Sequence, residues 1–119
     1  MEPSILTSTK KILGIDAVYT VFDADITTFI NTAFSVLTQL GVGPIGGFFV
    51  EDDGAEWSDF VDDFIKQNLI KSYVFLKVRM LFDPPATSFL IAAYEKQIAE
   101  YEARILIQRE AETWTPTLA

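Results

Sequence analysis

The run Leu69-Ile70-Lys71-Ser72-Tyr73-Val74-Phe75-Leu76-Lys77-Val78-Arg79-Met80-Leu81-Phe82, closed by Asp83-Pro84-Pro85, decides the fold of this chain. It is apolar on nearly every side of a helical wheel, and Lys71, Lys77 and Arg79 are its only charges. A helix that is hydrophobic all round belongs in the middle of a packed structure. Residues 69–82 are therefore expected to form the central helix, with the best protected amides. Pro84 and Pro85 end it, because proline lacks the N–H donor and restricts the residue before it.

On the C-terminal side, Thr87 or Ser88 is positioned to cap a last helix whose apolar stripe is Leu90, Tyr94, Ile98, Tyr101 and Ile105. On the N-terminal side, Trp57, Phe60, Val61, Phe64 and Ile65 read as one helix face, with Asp59, Asp62 and Asp63 on the other. No Gly or Pro forces a break near Gln67-Asn68, so residues 57–82 read equally as one helix or two. Trp57 belongs to the core by this pattern.

Further upstream, Asp23 is the expected N-cap of a helix carrying Ile26, Phe29, Ile30, Ala33, Leu37 and Leu40 at three- and four-residue steps, and Gly41 ends it. Its other face bears Thr27, Asn31, Ser35 and Thr38 and no charge. A solvated face usually carries Lys and Glu, so this face suits contact with another protein as well as simple exposure. A short first helix follows Pro3-Ser4 and stops at Gly14, and residues 15–22 read as an extended connector. Residues 42–56 are irregular. Glycines at 46, 47 and 54 flank Phe48-Phe49-Val50, giving room for a short strand or hairpin that would gain order by lying on a neighbouring surface. The expected architecture is all-α, a small antiparallel bundle of four to five helices with this one irregular loop. Residues 1–112 form one domain, and residues 113–119 form a tail carrying Trp114 and Pro116. Trp114 could anchor a partner or fold back on the bundle.

The composition removes much chemistry. The 119 residues include no Cys and no His, so disulfides, thiolate zinc sites, imidazole ligands and His-dependent triads are absent. A net charge of -8 opposes gripping nucleic-acid phosphates. Gly41-Val42-Gly43-Pro44-Ile45-Gly46 matches a dinucleotide-binding string, but it follows a helix where that site requires a strand. Asp52-Asp53-Gly54 resembles part of a calcium loop, yet alignment on Gly54 puts Phe49 and Phe60 where carboxylates are needed. The acidic set from Glu51 to Asp63 reads as a solvated face. The chain is expected to be no enzyme, with no catalytic, cofactor-binding or metal-binding residues. Met1-Glu2-Pro3-Ser4 lacks a basic leader region, and residues 26–50 hold too many Thr, Ser, Asn, Gln and Gly to span a membrane.

Four segments carry a resemblance: Phe22-Asp23-Ala24-Asp25-Ile26, Leu37-Thr38-Gln39-Leu40-Gly41-Val42-Gly43-Pro44, Trp57-Ser58-Asp59-Phe60, and above all Tyr73 to Pro85. In this order and spacing the chain resembles the head-to-tail connector, or adaptor, proteins of long-tailed bacteriophages. The resemblance implies a structural virion protein of the neck, forming a ring of about twelve copies under the portal, joining the DNA-filled head to the tail and extending the DNA channel. The implied partners are the portal protein, neighbouring copies of itself and a downstream neck or tail-completion protein. DNA would pass without specific binding, no membrane is involved, and assembly would take place in the host cytoplasm. Gly46-Gly47 departs from the family's less glycine-rich turn. The segments available for partner contact are Phe48, Phe49, Val50, Trp114 and Pro116, with Thr28, Asn31 and Ser35 on the uncharged helix face. The competing reading is a small helical regulatory module of phage or bacterial origin that binds one protein partner.

Overall fold

The structure, a computed structural model, describes residues 4–114, with side chains as far as Ala111. Five helices follow one another, α1 (Ile5–Ile12), α2 (Asp23–Gln39), α3 (Trp57–Phe60), α4 (Phe64–Phe82) and α5 (Ser88–Trp114), with no strand among the described residues. The protein is an all-α bundle. Helix α4 is its axis: α1, α2, α3 and α5 all pack on it. This is the place that a run apolar on nearly every side favours. Its residues Ile70, Tyr73, Val74 and Val78 meet Ile26, Ile30, Phe34 and Leu37 of α2 in one buried cluster, and Ile98 and Ile105 extend that cluster into α5.

Helices α1 and α2 end in the same way. In α2 the Gly41 N–H donates to the Thr38 carbonyl at 3.0 Å and the Val42 N–H to the Leu37 carbonyl at 3.0 Å. In α1 the Gly14 and Ile15 N–H groups reach the carbonyls of Lys11 and Lys10. Both are Schellman stops, which use a left-handed residue to satisfy the last carbonyls of a helix. Gly41 supplies it with φ +85°.

Three expectations are corrected. The connector between α1 and α2 is not extended: it makes two tight turns, with Tyr19 N–H on the Asp16 carbonyl and Asp23 N–H on the Thr20 carbonyl. Asp23 is not the N-cap of α2, a position taken by Phe22. Its carboxylate instead forms a 2.8 Å ion pair with Lys10, whose ammonium also donates to the Ala17 carbonyl at 3.0 Å. A lysine only 2% exposed needs such a partner, so a group suited to capping is drawn into pairing.

The third correction concerns residues 57–65. The break comes at Val61 to Asp63, ahead of Gln67-Asn68. Asp59 ties its own turn by accepting the Glu56 N–H at 2.8 Å, and Asp63 caps α4 by accepting the Ile65 and Lys66 N–H groups. The Gln67 side chain holds the freed Val61 carbonyl at 2.8 Å. Because the chain turns here, Phe64 and Ile65 leave the face of Trp57 and Phe60 and stand 71% and 77% exposed. Downstream, Thr87 Oγ1 accepts the Leu90 N–H at the start of α5. That helix runs through Trp114, so Trp114 is helical in its backbone, while Pro116 lies outside the described residues.

Candidate functional site

The irregular loop is welded to the bundle at three points. Asn31 clasps Val50 in both directions: its Nδ2 donates to the Val50 carbonyl at 2.9 Å, and the Val50 N–H donates to its Oδ1 at 2.7 Å. The Ile5 N–H donates to the Ala55 carbonyl at 2.9 Å, and Trp57 Nε1 donates to Ser8 Oγ at 3.0 Å. Just ahead of these anchors Phe48 turns inward, with its ring 4.9 Å from Phe34 and 5.2 Å from Phe60, centre to centre. Such tilted and edge-on aromatic pairs add to the area they bury. No hairpin forms, since the backbone groups of Val50 are satisfied by a side chain of α2 and need no partner strand.

This arrangement sorts the residues singled out for partner contact. Val50 is fully buried and Phe48 packs in the aromatic cluster, so both are used within the molecule. Phe49 is 68% exposed. Thr28 and Ser35 are exposed on α2, Asn31 lies between them with its amide committed to Val50, and neither Trp114's side chain nor Pro116 is described.

The exposed members are brought together. The outer face of α2 and the segment from Gly46 to Phe49 form an open groove of about 810 Å³, with Thr28, Asn31 and Ser35 on one wall and Phe48 and Phe49 on the other. Every side chain lining it is uncharged, in a chain with nine basic and 17 acidic residues. Sequence reading did not single out Thr32, Val36 or Gln39, which complete the α2 wall. Their helical spacing to Thr28 and Ser35 carried that signal. Gly46 and Gly47 floor the opposite wall without side chains, which keeps the groove open.

The acidic set does not converge. Among the described residues no three carboxylates are grouped to hold a metal ion. Asp59 and Asp63 are occupied in helix starts, and Asp52 accepts the Gly54 N–H at 2.8 Å. The glycine string closes α2 and opens no helix. No helix among the described residues is long and apolar enough to cross a membrane.

The fold is a small all-α bundle with an uncharged groove on its surface. Residues 5–112 match the model of the phage connector protein family, and the chain belongs to that family. Membership gives it a structural role in the phage neck. No curated protein and no solved structure matches it.

Proposed function

We propose that this chain is a non-enzymatic, ring-forming subunit of the neck that sits under the portal, extends the DNA channel and carries the next neck or tail-completion protein, and that a neighbouring copy seats in the α2 groove. The observation that carries the reading is the uncharged groove itself. A surface buried in an assembly is depleted of charge at its centre, because each buried ion must be desolvated and paired. An acidic chain of net charge -8 supports the channel role, since such a surface lets phosphates slide past without the lysines and arginines that would hold them.

The test places one charge in the groove. Ser35→Arg sits on an exposed helical position and should change stability by no more than about 0.5 kcal/mol. Mixed with portal, the native chain should form rings visible by electron microscopy and the variant should not. Rings of normal occupancy from Ser35→Arg would overturn the assignment.

A further inference from the structure

A closed ring of more than two copies is held by head-to-tail contacts, in which a groove on one subunit meets a different surface of the next. An uncharged groove with phenylalanine on its rim calls for an insert that is itself uncharged and apolar, since a charge carried into it would be desolvated without a partner. Outside residues 26–50, which include the groove, the longest stretch without a charge is Pro84 to Tyr94. It forms the turn after α4 and the first two turns of α5, where Phe89 is 80% exposed and Leu90, Ala92 and Ala93 are exposed beside it. A second uncharged run, Ala17 to Phe22, is exposed at every position, Val18 the most at 85%. Phe22 meets Phe82, the last residue of α4, edge-on at 5.3 Å between ring centres. Both runs therefore lie at one end of the bundle, and Asp23 next to them is held by Lys10. Other exposed apolar side chains stand among charges: Phe64 and Ile65 lie between Asp62-Asp63 and Lys66, and Ile107 between Arg104 and Arg109.

We propose, resting on the ring reading, that this apolar end is the surface a neighbouring copy seats in the α2 groove, with Phe89 as its leading side chain against the Phe49 rim. Exposed aromatic side chains dominate binding once the surrounding contacts exclude water. No residue of the groove belongs to either run, so each copy can insert its end into one neighbour and receive the other, as a head-to-tail ring needs.

The chain has no cysteine, so introduced thiols report contacts between copies. Ser35→Cys in the groove and Ala92→Cys, about one turn beyond Phe89, both at exposed positions, are made as separate chains, mixed in equal amounts, assembled on portal and treated with a short bismaleimide. Covalent dimers of this chain should appear in the mixture and in neither variant assembled alone. Exchanging Ala92→Cys for Ser58→Cys, on α3, should abolish them. Phe89→Ser should leave the melting temperature unchanged and reduce incorporation into rings at least about tenfold. Rings without dimers from the mixture, equal dimers with Ser58→Cys, dimers from Ser35→Cys alone, or full incorporation of Phe89→Ser would each overturn the proposal and leave the ring reading standing. If the native chain forms no ring on portal, the ring reading fails and the proposal falls with it.

Discussion

The hydroxyl of Tyr73, a residue with no exposed surface at the centre of α4, donates to Glu102 Oε2 across the α4–α5 interface at 2.8 Å. Burial, then the hydrogen bond and charge of Glu102, push the phenol far above its ordinary range. A tyrosine whose folded pKa is raised stabilises the fold while protonated. That contribution is complete below the unfolded value near 10 and is lost as pH climbs beyond it toward the folded value. Tyr73→Phe should cost about 1–2 kcal/mol at neutral pH, and its stability should fall less than that of the native chain between about pH 9 and 11. Urea melts at a series of pH values check both.

The ion pair of Lys10 and Asp23 is asymmetric, since Lys10 is 2% exposed and Asp23 31%. Removing either partner leaves the other charge behind, but only Asp23 can be rehydrated. Asp23→Asn should therefore destabilise by about 3 kcal/mol and Lys10→Met by clearly less. The order of the two denaturation midpoints is the readout, and the reverse order would mean that Lys10 is not held as described.

Gly43 combines a φ of +94° with a Cα that lies against the Phe60 ring, where a methyl group would overlap it. Gly43→Ala should cost about 2–4 kcal/mol, from the left-handed penalty and the displaced ring together. Gly46→Ala meets no neighbouring atom and should cost only about 1–2 kcal/mol. Thermal melts of the two variants side by side separate strain from overlap.

Local signals in the sequence were read where they act alone. The apolar run of α4, the glycine stops at 14 and 41, the Pro84-Pro85 terminator and the Thr87 cap each follow from a few adjacent residues. The break at Val61 to Asp63 was not readable as hydrophobic period, because Phe64 and Ile65 continue the pattern although the chain has turned. Its signal lay in Asp59 and Asp63, whose carboxylates looked like solvated surface and act as helix starts. In the groove, Thr28, Ser35 and Phe49 were legible as outward-facing. Asn31 was not, since its partner Val50 is 19 residues away, and a polar residue on a polar face gives no hint of a long-range bond.

The two phenylalanines of the loop are the sharpest test of that distinction. Phe48 packs edge-on against Phe34 and Phe60, so Phe48→Ser should cost about 3 kcal/mol, as expected for emptying an aromatic site and placing a hydroxyl in it. Phe49, one residue on, lies on the rim of the α2 groove and is 68% exposed. Phe49→Ser should leave the unfolding free energy within about 0.5 kcal/mol of native while reducing subunit incorporation on the portal at least about tenfold, because exposed aromatics at interfaces commonly contribute about 1.4 kcal/mol or more of binding. Melting and ring occupancy measured on the same preparations would then move independently. If Phe49→Ser assembles as well as the native chain, the groove's rim is not where a neighbouring copy seats.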